Sequence, residues 1–244
     1  MKQLVMSFAC IIGFVLPCSS CRINVLKGEG AKGTDNPTVS SFNAIELDIP
    51  VKAFITVQDG AHPGVQISGY ENILKHLKTK VENGKLIFYS DLDETWEIDY
   101  DGITVQVTAP SLKALSLSGA PDAEIHGNIT GSSFKLTISG ASKVAIDNIN
   151  VDNFSSEVSG SGNIDLKRGY VKSATHEISG AGKIKAFPLQ TDETVISISG
   201  SGKGLVTANQ KLSVSVSGAG SVKYKGHPSI TQDISGAGSV AAVN

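Results

Sequence analysis

Glu177-Ile178-Ser179-Gly180-Ala181 returns twenty residues later as Ser197-Ile198-Ser199-Gly200-Ser201, and the reading of that recurrence decides the fold. The same unit stands at Ser116-Leu117-Ser118-Gly119-Ala120, Thr137-Ile138-Ser139-Gly140-Ala141, Glu157-Val158-Ser159-Gly160-Ser161, Ser215-Val216-Ser217-Gly218-Ala219 and Asp233-Ile234-Ser235-Gly236-Ala237. Its glycines fall 21, 20, 20, 20, 18 and 18 residues apart. So narrow a period marks a repeat architecture, in which each copy is one structural unit and neighbouring copies bury one another.

Alignment turns the repeat into columns. Immediately before each serine stands Leu117, Ile138, Val158, Ile178, Ile198, Val216 or Ile234, and the residue before that is always polar. This is the period-two alternation of a half-buried strand. After the turn, a second inward column reads Ala123, Val144, Ile164, Ile184, Val222 and Val240, with Gly204 in the fifth copy. A third reads Ile125, Ile146, Leu166, Ala186, Val206, Tyr224 and Ala242; Gly204 and Tyr224 mark where irregular packing is expected. Ser-Gly-[Ala/Ser]-Gly reads as a bend that excludes a Cβ, through positive φ or through close neighbouring backbones. A phosphate-cradling loop, the functional alternative for such glycines, would occur once and open a helix.

A period near 20 with two or three short strands per copy predicts an all-β parallel β-helix solenoid, right-handed by the usual chirality of parallel crossovers. Seven coils spaced as hydrogen-bonded strands give a rod of about 34 Å. Stacking would place Ser118, Ser139, Ser159, Ser179, Ser199, Ser217 and Ser235 in one ladder, each hydroxyl able to bond to the next or to the turn backbone. An antiparallel sandwich is the competing architecture; it predicts variable loops and no serine ladder.

The ends bound where the protein resides. Residues 1–20 read as a signal peptide: Lys2 is followed by a mostly apolar stretch from Leu4 to Leu16, too short to span a bilayer. Cys18-Ser19-Ser20-Cys21 resembles a bacterial lipoprotein cleavage and lipidation site, with Cys18 where leucine is usual. The expectation is an exported, outer-membrane-anchored protein held by lipidated Cys21, facing the periplasm or the cell surface; ordinary secretory cleavage nearby is the alternative. All three cysteines lie in this segment, so a chain beginning at Cys21 forms no internal disulfide and relies on burial and backbone hydrogen bonds. Residues 21–41, glycine-rich and without periodicity, read as a tether. The 244-residue chain has a formal charge of −2 and no basic cluster along its sequence, which argues against a nucleic-acid partner.

Residues 42–111 lack the Ser-Gly-x-Gly signature but carry strand-like stretches at Ala44–Ile49, Ala53–Gln58, Val65–Ser68, Lys85–Tyr89 and Ile103–Thr108. Glu71 to Leu77 has the spacing of a short helix, and Asn83-Gly84 is a hairpin signal. This part reads as an atypical N-terminal cap or extension of the 112–244 solenoid. At the other end the repeat runs to Asn244 part-way through a coil, which predicts either a homo-oligomeric contact through that open coil or a fold-back of N-terminal strands onto it.

Phe42-Asn43-Ala44-Ile45, Val57-Gln58-Asp59-Gly60, Val81-Glu82-Asn83-Gly84-Lys85-Leu86 and the recurrent Ser-Gly-[Ala/Ser]-Gly units together resemble the head GIN domain family of lipoprotein-like proteins from Bacteroidetes, over roughly residues 42 to 240. The resemblance implies a β-helical fold, a cell-envelope location and the label of adhesin, and brings no catalytic residues.

Read from the residues, the densest polar cluster is the stretch from Asp91 to Gly102. Asp91, Asp93, Asp99 and Asp101 could hold Ca²⁺, and Trp96 and Tyr100 could stack on a sugar ring. Read blandly, it is a solvated loop, and its spacing matches no known calcium loop. No cofactor is expected. A polysaccharide-active enzyme on this fold would need carboxylates gathered on one face. The outward columns do not gather them: one reads Asp122, Lys143, Asn163, Lys183, Lys203, Ser221, Ser239 and the next Glu124, Ala145, Asp165, Lys185, Leu205, Lys223, Ala241. His62, His76, His126, His176 and His227 are dispersed. Two function classes remain: a non-enzymatic adhesin or binding module whose ligand is a glycan or envelope protein, and a structural envelope protein whose rod serves assembly. An exposed Trp96 favours the first; a buried Trp96 and a self-complementary last coil favour the second.

Overall fold

The computed structural model describes residues 24–93 and 95–243; Cys21 and the expected signal segment lie outside the described residues. The N-terminal part runs β1 (Asn24–Leu26), β2 (Lys32–Asp35), β3 (Ala44–Leu47), β4 (Lys52–Val57), β5 (Gly64–Tyr70), a one-turn helix α1 (Glu71–Leu74), β6 (Leu77–Glu82), β7 (Lys85–Ser90), β8 (Trp96–Ile98) and β9 (Thr104–Ala109). Each repeat then supplies two strands: β10 (Ala114–Gly119) with β11 (Asp122–Gly127), β12 (Ile129–Gly140) with β13 (Lys143–Ile146), β14 (Ile149–Gly160) with β15 (Asn163–Leu166). The series continues with β16 (Gly169–Gly180) and β17 (Lys183–Lys185), β18 (Leu189–Gly200) and β19 (Lys203–Thr207), β20 (Lys211–Gly218) and β21 (Ser221–Lys225), then β22 (Ser229–Gly236) and β23 (Ser239–Ala242).

All repeat strands pair in parallel with their equivalents one coil away. One sheet has the order β22-β20-β18-β16-β14-β12-β10-β3-β7-β6, and the other β2-β5-β9-β4-β11-β13-β15-β17-β19-β21-β23. The first is called here the serine sheet and the second the short-strand sheet. The ladder is in strict register, Ser139 opposite Ser159 and Gly140 opposite Gly160, and so on along the stack. The solenoid predicted from the repeat is therefore the fold, and the sandwich alternative is excluded. It is longer than the repeats alone require, because β3 and β4 extend both sheets without the signature. Eleven strands in the short-strand sheet span about 48 Å.

The glycine bend meets both of its expected causes at once. Gly160 has φ +117°, and a Cβ built on it would lie 2.5 Å from the carbonyl oxygen of Gly140 in the preceding coil. That oxygen accepts a hydrogen bond from Ser161 N at 2.9 Å, and Ala181 N bonds Gly160 O in the same way at 2.9 Å. The turns are thus stitched coil to coil by backbone, and the stitching brings the chains too close for any side chain at the glycine. The serine hydroxyls, expected to bond along their ladder, do not: all seven side chains point into solvent, and no hydrogen bond joins one rung to the next. The contact between rungs is carried by the backbone of the turns instead.

Between the sheets the apolar columns form one continuous core. Where Gly204 removes a side chain from its column, the Cδ1 of Ile196 fills the space. Tyr224 packs half-buried at the edge of that core. The inward column that precedes the serine motif reads Leu136, Ser156, His176, Ile196 and Val214, and contains a polar pair. Ser156 and His176 are both buried, 2.7 Å apart from Oγ to Nδ1, with the Phe154 ring edge-on to the imidazole.

Two expectations about the ends are corrected. The stretch read as a tether contains β1, parallel to β8, and β2, antiparallel to β5, held by main-chain bonds that need no sequence periodicity. The N-terminal strands do not fold back onto the last coil, since β2 and β6 lie at the opposite edges of their sheets from β23 and β22. The hairpin at Asn83-Gly84 forms as expected, with both residues at positive φ joining β6 to β7.

Candidate functional site

The acidic segment splits into residues that serve the local chain and residues that face a depression. Asp91 turns toward β6, its Oδ1 2.9 Å from His76 Nδ1 and its Oδ2 3.6 Å from Lys78 Nζ. The hydrogen bond from His76, aided by Lys78, holds its carboxyl below the usual carboxylate range. Asp93 accepts from the hydroxyl of Thr95 at 2.5 Å and from its backbone N at 2.9 Å, which lowers its pKa in turn. Both form local turns, as aspartates near chain reversals commonly do. They are not aimed at a common point, and no group of three His, Cys, Asp or Glu side chains converges as a metal-ligand set among the described residues.

Asp99, Tyr100 and Asp101 are different. With Glu97, Ile98 and Val25 they line an open depression of about 620 Å³, bordered by Pro50, Lys52 and Ile103. The turn that presents them is fixed by Ile103 N donating to Tyr100 O at 3.0 Å, and by Asp101 N donating to Asp99 Oδ1 at 3.1 Å. Gly102, at φ +74°, closes it. Burial raises the pKa of the half-buried Tyr100 phenol, keeping it a neutral hydrogen-bond donor. Trp96 is 43% exposed on β8, the short strand that also carries Glu97 and Ile98 into the depression, but does not line it. The arrangement offers acceptor oxygens, a phenol and an apolar floor, groups that suit contact with a hydroxyl-rich ligand.

A second concavity, missed by sequence reasoning, follows the serine ladder. It is a half-open trough of about 380 Å³ crossing five coils, lined by Ser139, Ser159, Ser179, Ser199 and Ser217 together with Glu157 and Glu177. The signal lies in the repeat itself, where a recurring outward serine reads equally as a stacking ladder.

Ser156 with His176, a couple of nucleophile and base types, is sealed in the core with Ser156 fully buried and His176 1% exposed. No substrate reaches it there. Burial depresses the imidazole pKa to about 4, so the ring is neutral at physiological pH and acts as a core hydrogen-bonding group. A charge network at the outer face of the short-strand sheet links coils. Lys167 and His126 both contact Asp147, at 2.8 and 2.9 Å, and Lys52 meets Glu124 at 2.9 Å. Lys167 first, then His126, hold the Asp147 carboxyl below its ordinary pKa.

Coil-on-coil parallel stacking, with polar concavities open to solvent, defines the class as a parallel β-solenoid. The chain belongs to the head GIN domain family, described as "Putative auto-transporter adhesin, head GIN domain", whose pattern matches residues 41–228. Similar solved structures share the fold. One is of a protein described as a "putative adhesin" from Bacteroides fragilis, with 23% identity, 89% of this chain and 100% of that chain covered, and a TM-score of 0.83. Another, from Parabacteroides distasonis and described as a "putative lipid binding protein", has 24% identity, coverage of 91% and 100%, and a TM-score of 0.73. A "putative adhesin" from Parabacteroides merdae has 22% identity, coverage of 91% and 100%, and a TM-score of 0.71. No curated protein matches the chain.

Proposed function

We propose that this protein is a non-enzymatic, adhesin-type binding module of the cell envelope, held at the outer membrane by lipidated Cys21 and presenting its ligand site on the solenoid. The observation that carries the reading is the exposed Trp96 beside the open depression lined by Asp99, Tyr100 and Asp101. A half-exposed tryptophan next to acceptor oxygens is a common means of holding a sugar or a protein loop. The family description as an adhesin, and the adhesin labels of two similar structures, support the same reading. No helix among the described residues is long and apolar enough to cross a membrane; the proposed anchor rests on the Cys18-Ser19-Ser20-Cys21 stretch of the sequence.

The test is a screen of glycans and envelope proteins against the purified protein, repeated with Trp96→Ala and Tyr100→Phe. Binding lost in Trp96→Ala with folding unchanged is expected; ligands that bind both variants as well as wild type would refute the site. Anchoring is tested separately: Cys21→Ser should abolish incorporation of labelled palmitate and release the protein from the membrane fraction.

Assembly through the last coil is a second reading, favoured by Ile230 and Ile234, which are 41% and 37% exposed on edge strand β22. An apolar pair on an open parallel edge invites pairing. Light scattering should then give a dimer or larger species that Ile234→Lys dissociates; a monomer at high concentration would refute it.

A further inference from the structure

Lysines scattered along the sequence are brought to one place by the coils. On the outer face of the short-strand sheet, strands β17, β19 and β21 present Lys183 and Lys185, Lys203, and Lys223 and Lys225. The parallel register sets Lys183 directly opposite Lys203, and Lys185 and Lys223 on either side of Leu205. Neighbouring rungs are about 4.8 Å apart, and successive outward residues about 6.6 Å. Five ammonium groups therefore share an area two rungs deep, and among the described residues the one acid in register beside them is Asp165, on β15.

The field contrasts with the other half of the same face. There Lys52 is matched by Glu124, and Lys167 by Asp147, at 2.9 and 2.8 Å. None of the five lysines has an acidic partner within 4.0 Å among the described residues, and even Asp165, in register with Lys185, forms no ion pair with it. A surface built only for solubility intersperses the two signs. Like charges directly opposite each other on paired strands destabilise a sheet, so the Lys183 and Lys203 pair works against the fold that carries it. Leu205 lies half-buried among the ammonium groups, and Lys225 Nζ sits 5.1 Å from the centre of the Phe187 ring. The face thus combines cationic heads with apolar contact.

We propose that this face binds a linear polyanionic glycan, a polymer of uronate-type units lying along the rod axis so that successive carboxylates meet lysines of successive coils. A rigid lattice of amines with a regular repeat suits a polymer of regularly repeated anions, and its binding is driven by release of counterions from both. The choice of a glycan over an anionic membrane surface rests on the anchoring proposed above: β17 to β21 lie toward the far end of the short-strand sheet from β2, the first strand of that sheet in chain order. The site is separate from the Trp96 depression, so either can fail without the other.

The experiment measures binding of the purified protein to polygalacturonate, to uncharged dextran, and to vesicles containing phosphatidylglycerol, at several salt concentrations. Wild type is expected to bind polygalacturonate and not dextran, with affinity falling as salt rises. Lys185→Glu/Lys203→Glu/Lys223→Glu should weaken binding about tenfold or more at moderate salt. The milder Lys→Gln set should give an intermediate loss, and both sets should keep the wild-type unfolding midpoint or raise it. Trp96→Ala should bind polygalacturonate normally, which separates this surface from the depression. Equal binding by wild type and both lysine variants would overturn the proposal, as would binding to the vesicles with none to polygalacturonate. Loss of membrane anchoring in Cys21→Ser leaves these solution measurements untouched, so failure of the envelope reading is seen on its own.

Discussion

Buried His176 should make this protein lose stability as the pH falls from 7.5 to 4. The imidazole is 1% exposed and its pKa is depressed from 6.5 to about 4 by burial. Between those values the unfolded chain binds a proton that the folded chain excludes, so stability rises with pH across that window. The contribution is complete above about 6.5, falls as pH drops toward 4, and is constant below. A displacement of that size corresponds to about 3 kcal/mol. Denaturant unfolding followed by circular dichroism at several pH values would measure it. The control is Ser156→Ala/His176→Leu, which replaces the polar pair by apolar groups and avoids orphaning either partner. Surface carboxylates such as Asp147 also lose native contacts in acid, but they titrate equally in both proteins. The difference between wild type and double variant should therefore change by about 3 kcal/mol between pH 7.5 and 4. A parallel pH dependence in the two proteins would refute the assignment of a neutral, sealed imidazole.

Other substitutions test the stacking. Gly160→Ala forces a Cβ to within 2.5 Å of the Gly140 carbonyl oxygen at φ +117°; backbone strain alone should cost about 1–3 kcal/mol, read as a lowered unfolding midpoint. Ser142 stands where later copies have glycine, and its buried Oγ has no hydrogen-bond partner. Ser142→Ala should therefore stabilise the protein by up to about 1 kcal/mol, the reverse of the usual effect of a core substitution. Asp147→Asn removes the acid that joins Lys167 and His126 across coils; the groups are partly exposed, so the loss should be within about 1 kcal/mol and should vanish in high salt.

The coils were legible because a solenoid imposes the same demand at the same column in every copy. Ile138, Val158, Ile178 and Ile198 repeat because each fills the same interior position, and the glycines repeat because each sits under its neighbour's carbonyl. Strands β1 and β2 were illegible for the opposite reason: they are short edge strands held by main-chain bonds, which leave no mark on side-chain pattern. The depression was half legible. Asp99, Tyr100 and Asp101 stand in one polar cluster of the sequence with Asp91, Asp93 and Trp96, but nearness in sequence does not say which way each side chain turns at a reversal. Asp91 and Asp93 are taken up by His76 and Thr95.

Polar residues that break a column show which of them the fold itself explains. Ser156 and His176 interrupt an apolar inward column in consecutive copies, and each satisfies the other. Their violation is compensated inside the chain, which makes them structural despite the catalytic look of the pair. Lys183 and Lys203 also fall in consecutive copies of one column, but they repel each other, and no acid among the described residues lies within 4.0 Å of either. Stacking gains nothing from that pair, and solubility is served as well by mixed signs. A destabilising doublet with no compensation among the described residues points to compensation from outside the chain, by an anion that spans more than one coil.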